Sequence, residues 1–199
     1  MTMLSGQCSE GYRLHLGRYR QHLFATQVFL GVLLPFNRIH MENLNHIGLD
    51  RTKAAELARN LNHLLAQYQV FYMNVRGLHW NIRGEKFFEL HVQFETLYTD
   101  LQLKVDEIAE RILTLGHVPM HTYAEYLNHS ELTIAKDISG WREAVANVLD
   151  AFQKVIVIQR KLLSLSGEIG DEGTNALMSD YIRAQEKSVW MFSALVSER

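Results

Sequence analysis

His79 to Glu110, HWNIRGEKFFELHVQFETLYTDLQLKVDEIAE, is the stretch on which the fold turns. From Glu85 to Leu115 there is neither Pro nor Gly, and apolar residues recur at Phe87, Leu90, Phe94, Leu97, Leu101, Val105, Ile108 and Ile112. That is helical period, and it predicts one long amphipathic helix. The same stretch carries His79 and His91, then Asp106 and Glu110 four residues apart. Neutral imidazole and carboxylate oxygen are donors suited to iron, zinc or manganese. At about 100° per residue, the steps from His91 to Asp106 return to within about 60° of one face, and at 1.5 Å rise they span about 22 Å along the axis. Metal–ligand bonds are only about 2 Å long. One ion therefore cannot join His91 and Asp106 of the same chain; if these groups share a site, two chains build it between them.

Outward from this helix the signal repeats. Upstream, Asp50 or Thr52 caps a helix whose apolar face reads Leu57, Leu61, Leu64, Leu65, Tyr68, Tyr72, Val75 and Leu78 and runs to about Trp80. A short connection with Gly84 follows. Downstream, Gly116 and Pro119 end the central helix. Residues 117–136 are too many for a tight turn, and Thr122 to Asn128 suits a short helix within that crossover. A third long helix is expected from Ser139 to Ser166, carrying Trp141, Val145, Val148, Phe152, Val155 and Leu162. After the Gly-rich SGEIGDEGT, Asp171 or Thr174 caps a fourth with Leu177, Tyr181, Trp190, Met191 and Leu195. Four long helices, with a short helix in the long crossover between the second and third, predict an all-α, ferritin-like four-helix bundle.

With 199 residues, 47% apolar and 21% charged, the chain is long enough for one domain with a real core, placed at residues 41–199. The net charge of −2 removes global basicity as a pointer to nucleic acid. Residues 1–40 differ: four arginines (Arg13, Arg18, Arg20, Arg38) face Glu10 alone, and an apolar run extends from Leu23 to Phe36. That run lacks a small-x-small cleavage site and is shorter than the roughly 20 residues a membrane span needs. Residues 1–40 are expected to be an N-terminal extension outside the core, with a packed helix or a targeting segment as the alternatives. Cys8 is the only cysteine, which excludes an intrachain disulfide and makes a reducing cytoplasm the expected location.

Taken singly, each candidate ligand is weak. A histidine on a helix face is more often structural, and Asp-x-x-x-Glu is usually a solvated face. Their surroundings raise the odds: His91 lies among Phe87, Phe88 and Phe94, and the acids among Val105, Ile108 and Ile112. Charges in an apolar seam need a partner or a metal. Glu95, one turn after His91, is a further candidate ligand or supporting group. The intrasubunit di-iron site of ordinary ferritins requires Glu-x-x-His on two helices. No histidine follows His129, and neither of the first two helices has that motif. Ligand inventory excludes that architecture.

His79-Trp80-Asn81, Gly84, Phe88, Leu90-His91, Phe94-Glu95, Tyr98, the run Asp106 to Ile112, Gly170-Asp171, Thr174, Glu186-Lys187 and Trp190-Met191 together resemble the Dps miniferritins (DNA protection during starvation). The resemblance covers about residues 50–198, and the His-x11-His-x14-Asp-x3-Glu spacing is specific to that family. It implies a hollow dodecamer with ferroxidase activity, which oxidises Fe(II), preferably with hydrogen peroxide, and stores the ferric mineral, protecting against oxidative damage. It implies a di-iron or mixed-occupancy centre between two subunits, with His79 and His91 from one, Asp106 and Glu110 from the other, and Glu95 assisting. Trp80, beside a ligand, becomes a candidate sink for stray oxidising equivalents, against a packing role. Asp171 and Asp180 match acidic pore positions of the family; Ala176 departs from a third, and Glu172 is the candidate replacement. Asp171 also reads as a helix cap.

DNA-coating members rely on Lys/Arg-rich tails, because binding is driven by phosphate neutralisation. Between Met41 and Thr52 the only basic side chain is Arg51, and the chain ends in Glu198-Arg199. A nucleoid-compacting DNA-binding protein with secondary iron chemistry is thus the alternative, and a helical scaffold with structural histidines the third reading.

Overall fold

The computed structural model describes residues 43–197; the expectation for residues 1–40 lies outside them. Five helices follow in order: α1 Arg51–Asn81, α2 Phe87–Thr114, α3 Tyr123–His129, α4 Trp141–Ile169 and α5 Glu172–Val196. Among the described residues the only β-type pairing is an isolated bridge between Leu44 and Asp50. Helix α1 packs along α2, α4 packs along α5, and α1 also meets α4 and the short α3. This is the expected four-helix bundle with a short helix in the crossover.

The helix ends follow from the sequence. Asp50 caps α1 by accepting from the amides of Thr52 and Lys53 at 2.9 and 3.0 Å, and the Lys53 amide foremost holds its carboxyl below the usual range. Gly116, at φ 88°, takes the left-handed conformation after α2 that a side chain would resist. Thr122 and Glu125 form a reciprocal capping box that starts α3. Asp171, not Thr174, caps α5, accepting from the Thr174 amide at 3.1 Å. Two ends shift: α2 begins at Phe87 and α4 at Trp141, each two residues later than the apolar pattern suggests. A periodic pattern marks a face rather than a first hydrogen bond.

The core is built from Leu57, Leu61, Leu64 and Phe71 of α1, Leu90, Phe94, Leu101 and Ile108 of α2, Val148 and Phe152 of α4, and Met178 of α5, all essentially inaccessible. Burying one such side chain contributes about 1.5–3 kcal/mol. Phe71 meets Phe152 edge to face at 5.1 Å, and takes the inward place that periodicity had offered to Tyr72. Inside the bundle, where ordinary ferritins hold their metal, stand amides and a phenol. Gln159 donates to the Tyr68 hydroxyl at 2.7 Å and to Gln185 at 3.0 Å, and Gln185 donates to the same hydroxyl.

Three side-chain amides of α1 fasten the crossover. Asn62 accepts from the Met120 amide and donates to the Val118 carbonyl; Asn74 does the same for Ala135 and Thr133. Gln67, fully buried, accepts from Ser130 and the Glu131 amide and donates to the His129 carbonyl. Each amide offers donor and acceptor together, so it satisfies the backbone as a second strand would.

Candidate metal centre

His79 closes α1 and His91 opens α2, and the hairpin between these helices brings the two imidazoles face to face. Their centroids are 3.8 Å apart and their planes 21° from parallel. Each ring is fastened by the other's backbone. His79 Nδ1 lies 2.8 Å from the His91 carbonyl oxygen, and His91 Nδ1 lies 2.9 Å from that of His79. A carbonyl only accepts, so both Nδ1 atoms carry the hydrogen, and in the neutral rings both Nε2 atoms keep a lone pair. That is the tautomer a metal ligand needs, oriented as second-layer hydrogen bonds orient ligands elsewhere. Phe87 stacks on His91 at 5.1 Å, and Tyr98 meets His79 edge-on at 5.3 Å.

The lone pairs lie in two nearly parallel planes, one ring thickness apart. Two such planes do not meet within a bond length of both rings, so both imidazoles cannot close on a single ion at bond lengths near 2 Å.

The carboxylates stand elsewhere. Asp106 and Glu110, expected in an apolar seam, are exposed in the protomer, as is Glu95. Among the described residues no lysine, arginine or histidine pairs with any of the three. Nor, among the described residues of one protomer, do three His, Cys, Asp or Glu side chains gather closely enough to hold a metal ion. The acids belong to a stripe at helical spacing along α2: Phe88, Val92, Glu95, Thr99, Leu103, Asp106, Glu110 and Leu113, all exposed. Phe88 is 82% exposed and Leu103 62%, a large apolar display on a helix whose other face is already in the core.

Trp80 is exposed, and the Arg76 guanidinium lies 4.9 Å from its ring. The same guanidinium donates to the Tyr72 hydroxyl at 2.9 Å. Asp171 is buried and committed to its cap: the Thr174 hydroxyl donates to it at 2.6 Å, and Arg111 pairs with it. Asp180 is exposed and pairs with Arg183 at 2.8 Å. Sequence reasoning missed the reciprocal ring locks, and it gave no role to Arg111 or Tyr98, which it named only as residues that carry the resemblance. Only Tyr98 left a usable signal, since it falls two turns after His91 on the same helix face.

A family model described as a ferritin-like domain matches residues 58–199. The DNA protection during starvation protein of Porphyromonas gingivalis is 42% identical over 151 residues, covering 76% of this chain and 95% of that protein. An uncharacterised protein of Haemophilus influenzae is 51% identical over 148 residues, covering 74% and 92%. The crystal structure of a Dps protein from Vibrio cholerae O1, described as a member of a broad superfamily of ferritin-like diiron-carboxylate proteins, superposes with a TM-score of 0.77 at 55% identity. It covers 78% of this chain and 98% of that one. Sequence and fold converge: this chain belongs to the Dps family of ferritin-like proteins.

Proposed function

We propose that the protein oxidises Fe(II), preferably with hydrogen peroxide, at sites shared between two copies, and stores the ferric product inside a hollow dodecamer in the cytoplasm. The observation that carries this reading is the division of ligands. One protomer presents two imidazoles locked in the metal-binding tautomer, and two unpaired carboxylates that its own imidazoles cannot reach. Imidazole with carboxylate fits iron, and carboxylates favour the ferric product as it forms. His79 and His91 of one copy and Asp106 and Glu110 of its partner are the ligands, with Glu95 assisting. The near-parallel ring planes leave each imidazole an ion of its own, which suits a two-electron oxidant. Two ferrous ions deliver both electrons together, so no hydroxyl radical escapes.

A two-fold that sets His91 against the partner's Asp106 and the partner's Glu110 crosses α2 beside Thr99. It also places Phe88 near the partner's Leu113, so the exposed stripe acquires a cover as the site is completed. Cations would approach from solvent past Asp180 and Glu172, since Asp171 is engaged in its cap.

The test is peroxide-driven Fe(II) oxidation by the His79→Ala/His91→Ala double variant. Oxidation should be abolished while the assembly keeps its size. Oxidation at the parental rate in the double variant means the histidines are not the ligands.

A further inference from the structure

Among the described residues no cation pairs with Asp106 or Glu110, so only the path of α2 decides where these two acids point. Each is followed in the chain by a residue that grips α5. Glu107 accepts a hydrogen bond from the Tyr181 hydroxyl. Arg111 pairs with Asp171, and its Nε donates to the Thr174 hydroxyl at 2.9 Å. Successive helix positions lie about 100° apart. One row, Asp106 and Glu110, therefore faces outward, while a second row with the same four-residue step, Glu107 and Arg111, turns to α5.

The far ends of these ties are set in the core. Thr174 is inaccessible, and Asp171 and Tyr181 are buried. Lys104, paired with Asp100, lies 5.0 Å from the Tyr181 ring and helps to hold it. Gly173 completes the cradle: a Cβ there would lie 2.9 Å from Arg111 Nη1, too close for any side chain, so the guanidinium rests on bare backbone. Burial of Ile108 and Ile112 decides which face of α2 turns inward, but that attraction is non-directional. Hydrogen bonds to a planar fork are directional. They fix the rotation of these two turns more narrowly, and a metal ligand needs to be held within about 0.5 Å and 10–20°.

We propose that Glu107 and Arg111 are positioning residues for Asp106 and Glu110: by fastening the same two turns of α2 to α5, they aim the acids at the imidazoles of a second copy. The inference rests on the shared iron site proposed above. Neither residue touches the ion. Glu107 is a carboxylate beside the ligands, yet it is committed to Tyr181. The charge of Arg111 is offset by Asp171, so it does not compete with Fe(II) for Glu110.

The experiment is anaerobic Fe(II) titration by calorimetry, with peroxide-driven Fe(II) oxidation measured in parallel, on the full-length assembly and its variants. Arg111→Lys keeps the charge and loses the fork. Gly173→Ala adds one methyl that displaces the fork, in a helix where alanine is otherwise the better residue. Tyr181→Phe keeps the ring and removes the donor to Glu107. Each should weaken Fe(II) binding or slow oxidation by about 10–100-fold while the assembly keeps its size. Gly173→Ala should add little to Arg111→Lys, since no fork is left to displace. Gln67→Leu, which weakens the crossover instead, should keep the parental affinity and rate. Parental values in both Arg111→Lys and Gly173→Ala overturn the role of Arg111, and parental values in Tyr181→Phe overturn that of Glu107. Losses of the same size in Gln67→Leu assign the effect to general stability and overturn both. Glu110→Ala oxidising Fe(II) at the parental rate means that the ligand reading beneath the proposal has failed.

Discussion

Asp171 accepts hydrogen bonds from the Thr174 amide, the Thr174 hydroxyl and Arg111 while almost no water reaches it. Burial alone would raise its carboxyl; the Arg111 guanidinium and the two Thr174 donors outweigh that and hold it below the usual range. Such a group stabilises the fold fully above its unfolded value of about 3.9, and that stabilisation is lost as pH falls through the lower folded value. Asp171→Asn keeps a capping oxygen but loses the charge paired with Arg111, and should therefore lower unfolding stability at neutral pH by about 1–3 kcal/mol. In parallel denaturant titrations, the gap between parent and variant should close below pH 4; a gap of constant size down to pH 3 would assign it to something other than this charge. The candidate ligands His79, His91, Asp106 and Glu110 were legible because metal chemistry restricts residue type and helix geometry restricts spacing. The Nδ1 locks and the Tyr98 contact were not. Both depend on how α1 is rotated against α2, which no single helix records.

Helix identity was legible from apolar period for the four long helices, and the short α3 was expected from the length of the crossover that holds it. What fastens α3 was hidden. Asn62, Gln67 and Asn74 look like ordinary polar residues on α1, yet each serves backbone groups roughly sixty residues away in the chain. Pairing at that separation leaves no periodic trace. Replacing Gln67 with Leu keeps the volume but orphans the His129 carbonyl, the Ser130 hydroxyl and the Glu131 amide. The cost should be about 1–3 kcal/mol, with amide exchange accelerated around residues 129–135 and little changed in α2. Uniform acceleration across the bundle would mean that Gln67 supports the core rather than the crossover.

At the scale of the whole molecule, the α2 stripe combines exposed apolar groups with the two acids proposed as partners of the imidazoles. If a two-fold passes beside Thr99, Thr99→Cys in a Cys8→Ser background should be joined to its counterpart by a short thiol-reactive crosslinker, giving a covalent dimer on denaturing gels. Only uncrosslinked chains would exclude that register. The imidazole locks carry one more implication. Each ring is anchored not to its own helix but to the backbone across the hairpin, so α1 and α2 cannot part at this end without turning both donors away. An ion seated there behaves as a clasp on the Asn81–Lys86 bend, and each factor of ten in its occupancy over the dissociation constant adds about 1.4 kcal/mol against opening. If iron seats there as proposed, its supply would set how firmly the hairpin stays shut, a linkage that local breathing of this bend would report before any mineral forms.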